Sequence, residues 1–157
     1  MSTLFEYYLG SLEEFISQAR VIGENRLMKT RLVPSSLPEY PDYWHVLDNF
    51  AVKHIMHRHS GKRERLRGQD PVTCQDLLRI SDIVLNAETI EPVQCKNGNP
   101  GLIYTKSIAD EIYVLIEEVR RGHLELATTT MYKKRSSPTL RVQNDSADSG
   151  FASFLQR

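Results

Sequence analysis

Residues 111–132 read EIYVLIEEVRRGHLELATTTMY. The two halves of this stretch, Glu111 to Arg120 and His123 to Tyr132, carry many β-branched and aromatic side chains, which favour extended strands. Only Arg121 and Gly122 separate the halves, a spacing that is typical of a tight turn. The stretch therefore predicts two long antiparallel strands that are joined directly to each other.

The same pattern of short strands and tight turns continues towards the N-terminus. Thr89 to Cys95 and Leu102 to Ser107 are predicted strands, and Asn97 to Gly101 between them has the Asn, Gly and Pro residues of a turn. Consecutive strands with short connections favour an antiparallel meander. The C-terminal half of the fold is therefore predicted to be a four-stranded antiparallel sheet.

Helices are predicted before this sheet. Ser11 to Glu14 has the form of a capping box that opens a first helix, and Gly23 marks its end. A second helix is predicted from about Asp42 to His59, because its apolar side chains fall on one broad face at helical spacing. Thr73 gives a weaker capping signal for a third helix. The predicted fold class is α+β, with N-terminal helices packed on one face of the sheet.

Three segments follow from this arrangement. We expect an N-terminal helical or extended extension over residues 1–40, a compact domain over residues 41–135, and a weakly ordered polar tail over residues 136–157. Within the first segment, Arg26 to Val33 alternates in the manner of a strand or an extended arm. Prolines at positions 34, 38 and 41 then exclude a regular helix.

Charge and hydropathy limit the classes of protein to consider. The 157-residue chain has 20 Lys and Arg against 20 Asp and Glu, so net charge alone indicates no polyanionic partner. Basic residues are nevertheless concentrated between Lys53 and Arg67, with Glu64 as the single acid, which predicts a basic face. No apolar run is long enough to cross a membrane, and the first residues lack a secretion signal. A cytoplasmic location, or delivery into the cytoplasm of a target cell, is expected, with Cys74 and Cys95 as free thiols.

Three of the five histidines fall within His54 to Gly61, HIMHRHSG. Histidine is the side chain that titrates near neutral pH, and it is also a common metal ligand. A continuous helix would not direct all three rings towards one metal ion, and no HExxH pattern supplies a carboxylate beside them. The expectation is therefore a site with no metal and no cofactor.

The residue types fit acid–base chemistry better. Cleavage of RNA by its own 2′-hydroxyl requires a base, an acid and groups that stabilise the extra negative charge. His54 and His59 border the apolar face of the predicted helix, whereas His57 faces solvent. His59 and His54 are therefore the candidate catalytic pair. The candidate substrate-binding cations near them are Arg58, Lys62 and Arg63.

The final predicted strand supplies hydroxyl groups at Thr128-Thr129-Thr130-Met131-Tyr132-Lys133. Alternation in a strand places positions 128, 130 and 132 on one side and positions 129, 131 and 133 on the other. Because a methionine is expected in the core, the first set is the expected wall of a cleft, and the lysine at the strand end is free to turn to either side. The candidate catalytic residues here are Thr130, Tyr132 and Lys133. The candidate substrate-binding residues are Thr128 and Thr129.

Each signal also has an ordinary structural interpretation. A helical histidine beside apolar residues is commonly a hydrogen-bonded edge of the core, threonine is a common strand residue, and a basic run is commonly a solvated face. The chemical interpretation depends on the occurrence of all three signals in one small domain.

The order of these motifs resembles that of the barnase–EndoU–colicin–RelE-like (BECR) nucleases of phages and polymorphic toxins. The resemblance covers roughly residues 45–134 and is carried by His54 to Gly61, the helical pattern of Asp76 to Asn86, and Thr128 to Lys133. In this chain Ser60 separates His59 from Gly61, where the family tends to have glycine directly after histidine.

The resemblance implies a metal-independent ribonuclease, in many cases a toxin that acts on tRNA or other cellular RNA and is held in check by an immunity or antitoxin protein. The family's catalytic histidine would correspond to His59, with His54 as the second candidate. Its strand-borne hydroxyl and basic groups would correspond to Thr129 or Thr130, Tyr132 and Lys133.

Three hypotheses follow. The leading one is an endoribonuclease that cleaves RNA by 2′-hydroxyl transesterification with histidine acid–base catalysis, resists EDTA and loses activity above about pH 7.5. The second is a non-catalytic phage or accessory protein of the same fold that binds nucleic acid through its basic loop. The third is a metal-dependent nuclease, which would require zinc or manganese.

Overall fold

The computed structural model describes residues 6–8, 10–23, 25–61 and 63–136. Within these residues, seven strands form one mixed sheet in the order β1-β2-β3-β7-β6-β5-β4. The strands are β1 (Glu6–Tyr7), β2 (Met28–Pro34), β3 (Trp44–Asp48), β4 (Thr89–Gln94), β5 (Pro100–Ile108), β6 (Glu111–Arg120) and β7 (Glu125–Arg135).

Helices and a 3₁₀ turn connect these strands. The helices are α1 (Leu12–Val21), α2 (Asn49–Arg58), α3 (Arg63–Leu66), α4 (Cys74–Leu77) and α5 (Ile80–Asn86). The 3₁₀ turn Arg121–His123 joins β6 to β7. No helix of the described residues has both the length and the apolar character that crossing a membrane would require.

The predicted meander is present as β4 to β7, whose neighbouring strands are all antiparallel. The α+β class is therefore confirmed, but the prediction of a four-stranded antiparallel sheet is wrong. The sheet continues beyond β7 through β3, β2 and the two-residue β1, and β3 runs parallel to β7. The pairing of β3 with β7 joins segments that lie far apart in the chain, so local turn signals do not reveal it.

The segment from Asp42 to His59 is not one helix, as the sequence predicted. Its first part is β3, and α2 begins only after Asp48, whose carboxylate accepts a hydrogen bond of 2.8 Å from the Ala51 amide. Val46 and Leu47 are both fully buried, because β3 lies inside the sheet. A strand that is apolar on both faces satisfies helical spacing as well as strand spacing, which explains the error.

The third predicted helix is likewise divided. Thr73 forms the capping box with Asp76 that the sequence predicted, and it opens α4. This helix ends at Leu77, and α5 starts at Ile80. The first predicted helix is confirmed as α1, with Ser11 as its N-cap.

The N-terminal segment shares the sheet with the rest of the chain. Strand β2 pairs antiparallel with β3, and the ammonium group of Lys29 lies 2.8 Å from Oε1 of Glu125 at the start of β7. Both side chains are buried. The expected boundary at residue 40 thus falls between two paired strands, and all of the expected tail except Ser136 lies outside the described residues.

A β-bulge interrupts the pairing of β6 with β7. Ile116 pairs with Thr130 and Glu117 pairs with Thr128, so Thr129 is an additional residue in β7. The bulge reverses the alternation of side chains, because one extra residue changes which face the following residues point to. Because of the bulge, Thr129 and Thr130 lie on the same side of β7, whereas simple alternation places Thr128 and Thr130 together.

The helices pack on one face of the sheet and form the main core. The buried residues of this core are contributed chiefly by α1, α2, α5 and the sheet strands β3, β5, β6 and β7. A smaller apolar cluster, formed by Ile103, Val114 and Tyr132, lies on the opposite face. Helix α2 follows β3 and packs against β7. Its C-terminal end lies next to Tyr132 of the smaller cluster, on the opposite face of the sheet.

Candidate active site

The C-terminal half of α2 forms one wall of an open cleft of about 860 Å³. His54, Arg58 and His59 line this wall. The facing walls are Thr129, Thr130 and Tyr132 of β7, Ile116 and Glu118 of β6, and the β4–β5 hairpin from Val93 to Asn97. The cleft thus brings the histidine cluster together with the threonine-rich end of β7.

The His59 ring is oriented by a hydrogen bond to a buried carboxylate. Its Nδ1 atom lies 3.0 Å from Oε2 of Glu64, and Glu64 is completely buried. The second carboxylate oxygen, Oε1, accepts a hydrogen bond of 3.4 Å from Arg67, which itself lines the cleft. When Nδ1 donates to the carboxylate, the neutral ring keeps its lone pair on Nε2. Among the described residues, none forms a hydrogen bond with Nε2.

The backbone around His59 and Glu64 is fixed by several hydrogen bonds. The carbonyl of His59 accepts a bond of 2.6 Å from the Val72 amide, and the carbonyl of Glu64 accepts one of 2.8 Å from the Gln69 amide. The Asp70 amide donates to the Lys133 carbonyl at 2.8 Å, which attaches this loop to β7. The loop after α2 therefore places Glu64 behind His59 and fixes both of them relative to β7.

His54 is the second imidazole of the cleft. Its ring centroid lies 6.0 Å from that of His59, with the two rings nearly perpendicular. The pKa of His54 is lowered from the ordinary value of 6.5, chiefly by partial burial and then by the nearby positive charges of His59, Arg58 and Lys96. His54 is therefore neutral at pH 7, and a neutral imidazole can accept a proton.

The β7 wall contributes hydroxyl groups. The hydroxyl of Thr129 donates to the Ile116 carbonyl at 3.1 Å. The Thr130 hydroxyl is buried and has no hydrogen-bond partner within the described part of the chain. Tyr132 lies against His59, with ring centroids 5.9 Å apart, and burial raises the pKa of its phenol. Thr130 thus has an unused donor and acceptor beside the catalytic candidate.

The β4–β5 hairpin closes the other side of the cleft. Glu118 on β6 accepts hydrogen bonds from the side-chain amides of Asn97 at 3.2 Å and Asn99 at 2.7 Å, which ties the hairpin turn to the sheet. Lys96 lies in this turn and adds positive charge to the cleft. Burial and then the charge of Glu118 raise the pKa of the Cys95 thiol, so this cysteine stays protonated at neutral pH.

Several predicted site residues lie elsewhere. Thr128 is buried outside the cleft, because the bulge at Thr129 turns it towards the other face. Lys133 also lies on that face, where its ammonium group is 2.8 Å from Asp76 and 3.9 Å from Glu111. Arg63 is exposed and does not line the cleft, and Lys62 is outside the described residues.

Sequence reasoning did not identify Glu64, Arg67 or Lys96 as parts of the site. In the sequence, Glu64 is distinguished only as the single acid of a basic stretch, five residues after His59. That isolated acid was the available signal, since a buried carboxylate is a common partner of a catalytic imidazole. Lys96 comes from a distant hairpin, and no local pattern predicts its position.

The described residues contain no group of three or more His, Cys, Asp or Glu side chains arranged to hold a metal ion. The polar side chains that line the cleft are chiefly imidazoles, cations and hydroxyls, with the carboxylate of Glu118 beside them. Imidazoles, cations and hydroxyls suit the handling of an anionic substrate and its protons.

These features define a small α+β protein with a basic, histidine-containing cleft between a helix and the last strand of its sheet. Residues 36–140 match the model of the family described as phage Barnase–EndoU–ColicinE5/D–RelE-like nuclease 3, PBECR3. The chain belongs to this family, and the resemblance to BECR nucleases is confirmed. No curated protein and no solved structure matched the chain significantly.

Proposed function

We propose that this nuclease-family protein is a metal-independent endoribonuclease whose reaction takes place at His59. The observation that carries the proposal is the position of the His59 ring. Its Nδ1 is bonded to the buried carboxylate of Glu64, and the ring lines a cleft that also contains His54. An imidazole oriented by a buried carboxylate, with its other nitrogen available, is an effective proton-transfer group.

The proposed reaction uses the 2′-hydroxyl of RNA as the nucleophile. Neutral His54 takes the proton of this hydroxyl, and the oxygen attacks the adjacent phosphorus. The bond from phosphorus to the 5′-oxygen breaks, and Nε2 of protonated His59 gives its proton to that leaving oxygen. The products are a 2′,3′-cyclic phosphate and a free 5′-hydroxyl, and exchange with water restores both imidazoles.

Three groups of the cleft would stabilise the charge that develops on the phosphate. Arg58 and Lys96 supply positive charge from opposite walls, and the Thr130 hydroxyl supplies a hydrogen-bond donor that has no partner within the described part of the chain. Such preorganised donors stabilise a transition state more than the ground state. Glu64 would stabilise the positive charge on His59 between turnovers.

This chemistry favours RNA over DNA, because the nucleophile is part of the substrate. DNA lacks the 2′-hydroxyl, and hydrolysis of its backbone would need an activated water instead. The two imidazoles of the cleft, which lie beside cations and hydroxyl groups, support a mechanism that depends on the RNA sugar.

The test is incubation of total RNA in EDTA with the wild type, His59→Ala and His123→Ala. His123 lies in the β6–β7 turn and does not line the cleft, so it is the matched control. The wild type and His123→Ala should produce fragments with 2′,3′-cyclic phosphate ends, whereas folded His59→Ala should not. Full cleavage by His59→Ala would refute the proposal, as would loss of wild-type cleavage in EDTA. Salt-sensitive RNA binding without any cleavage would favour a non-catalytic binding protein.

We also propose that cellular RNA, including tRNA, is the target, and that the activity is toxic in a cytoplasm that lacks a cognate immunity or antitoxin protein. The support for this is membership of a phage nuclease family with colicin-like and RelE-like members in its description. Induced expression of the wild type should stop bacterial growth, and His59→Ala should not. Normal growth with abundant, RNA-cleaving wild type would refute the toxic role.

A further inference from the structure

A second depression lies on the other side of His54, between α1 and α2. It measures about 570 Å³ and is lined by Arg20 of α1 and by Lys53, His54, Met56 and His57 of α2. We refer to it as the α1–α2 groove. His54 lines both this groove and the active-site cleft, so the two depressions adjoin each other at this side chain.

The groove is basic, and its cations have no ion-pair partner among the described residues. In the described ranges, no carboxylate lies within ion-pair distance of Arg20, Lys53 or His57. Arg20 donates to the sulfur of Cys74 at 3.3 Å, and Lys53 donates to the Ile22 carbonyl just beyond α1. These neutral partners orient the two cations without neutralising them, so the groove attracts an anion.

The spacing along α2 suits a repeating anionic chain. Lys53 and His57 are four residues apart and lie on one side of the helix, towards the groove. His54 and Arg58 form a parallel row, also four residues apart, which faces the cleft. An RNA strand whose reacting phosphate lies in the cleft would therefore contact the row of Lys53 and His57 immediately beyond His54.

We propose that the α1–α2 groove binds the backbone phosphate of the nucleotide next to the cleaved linkage in a single-stranded RNA substrate. This assignment rests on the proposed ribonuclease function. Arg20 belongs to α1, which precedes residues 36–140 that match the family model, so part of the groove is an addition to the matched region. The groove would make this protein favour longer RNA strands over dinucleotides.

The first test measures binding without cleavage. In the full-length His59→Ala background, the affinity for a labelled single-stranded RNA of about twelve nucleotides is measured by fluorescence anisotropy at several salt concentrations. Arg20→Met/Lys53→Met should weaken binding by about tenfold at low salt, and should reduce the slope of log affinity against log salt by about 0.7, since the groove holds one phosphate and each phosphate contact on a single strand contributes about 0.7.

Matched variants separate a site from a general effect of charge. Arg121→Met/Lys106→Met removes the same charge from residues that line neither the cleft nor the groove, and should leave affinity and salt slope unchanged. Arg20→Lys/Lys53→Arg keeps the charge and should restore most of the affinity. An equal loss in the distant variant, or no loss in the groove variant, would overturn the proposal. Circular dichroism and thermal melting show whether each variant is folded.

The second test uses the active protein and distinguishes the two proposals. The wild type should have a lower KM for the longer RNA than for a dinucleotide, and Arg20→Met/Lys53→Met should reduce this preference by about tenfold. If the wild type cleaves RNA but the variant keeps the wild-type preference for the longer RNA, the groove proposal is overturned and the ribonuclease proposal stands. Absence of wild-type cleavage would overturn the ribonuclease proposal, while the binding test would still decide whether the groove holds RNA.

Discussion

The Nδ1 atom of His59 lies 3.0 Å from a carboxylate oxygen of Glu64 that no solvent reaches. The same carboxylate accepts a hydrogen bond from Arg67. The pair is part of a loop whose backbone is attached to β7 through the bond from the Asp70 amide to the Lys133 carbonyl. The orientation of the His59 ring is thus determined by a short segment after α2.

Glu64→Gln should lower kcat by roughly 100-fold while the protein remains folded, because an amide that replaces such a carboxylate no longer fixes the tautomer or stabilises the charged ring. KM should change little. NMR of the histidine ring nitrogens should show a mixture of His59 tautomers in the variant, which a purely structural role would not produce. Glu91→Gln, an exposed residue outside the cleft, is the control. Wild-type kcat in Glu64→Gln would show that the carboxylate does not position the catalytic ring.

The lowered pKa of His54 leads to a prediction about pH. A base must be unprotonated, so kcat/KM should fall as the pH decreases through the pKa of His54, and this acid limb should lie below pH 6.5. Burial is the largest cause of the lowering, and the positive charges of His59, Arg58 and Lys96 add to it. Lys96→Met removes one of these charges, and should therefore move the acid limb to higher pH.

Two measurements check this prediction: the pH profile of kcat/KM and an NMR titration of the His54 ring. Lys106→Met is the matched control, because the Lys106 ammonium donates to the Asn86 carbonyl and lies outside the cleft. A shift of the acid limb to lower pH in Lys96→Met would contradict the sign of the effect. An acid limb above pH 6.5 in the wild type would exclude His54 as the base.

Local signals in the sequence were sufficient for the meander. The turns at Asn97 to Gly101 and at Arg121-Gly122 lie between strands that pair with their neighbours in the chain, so short-range patterns determine that part of the sheet. Strand β3 was missed because it is buried on both sides and runs directly into α2. Its parallel pairing with β7 joins residues about 80 positions apart, beyond the reach of any local pattern.

The site was predictable to a similar extent. His54, Arg58 and His59 are close in sequence, and the structure places all three in the cleft. The alternation rule assigned Thr128 to the cleft wall and Thr129 to the other side, but the bulge in β7 reverses these positions. A bulge depends on how β6 and β7 align, and the sequence of β7 alone does not contain that information.

Thr130 and Thr128 provide a paired test of the cleft wall. Both hydroxyls are buried without a hydrogen-bond partner in the described ranges, but only Thr130 lines the cleft. A valine has nearly the same shape and no unsatisfied polar atom, so either substitution should leave the free energy of unfolding unchanged or raise it by about 1 kcal/mol. Thr130→Val should lower kcat/KM by roughly 10- to 100-fold, because a hydrogen bond to a charged phosphate contributes about 1.5–3 kcal/mol.

Thr128→Val should retain wild-type kcat/KM. Thermal or urea unfolding and steady-state cleavage of a defined RNA measure both quantities. Wild-type kcat/KM in both variants would show that the Thr130 hydroxyl takes no part in the reaction. An equal loss of kcat/KM in both variants would indicate that the strand is distorted rather than that one hydroxyl is missing.

Lys133 should contribute to stability and not to the chemistry. Its ammonium group lies 2.8 Å from Asp76, on the face of β7 away from the cleft, and both side chains are nearly buried. Burial alone would raise the pKa of Asp76, but hydrogen bonds from Lys133, Tyr113 and Thr73 outweigh it and hold this pKa below its ordinary value of 3.8. Lys133→Met leaves a buried carboxylate without its cation, and should lower the free energy of unfolding by about 2–4 kcal/mol at pH 7.

The sign of the pH dependence follows from the lowered pKa of Asp76. The ion pair stabilises the folded state above pH 3.8, and this contribution is lost as the pH falls further and Asp76 takes up a proton. The difference in stability between the wild type and Lys133→Met should therefore be greatest near neutral pH and shrink in acid. Arg135→Met removes a neighbouring cation whose side chain is 72% exposed, and should cost less than about 1 kcal/mol. A large loss of kcat in folded Lys133→Met, with unchanged stability, would instead place this lysine in the reaction.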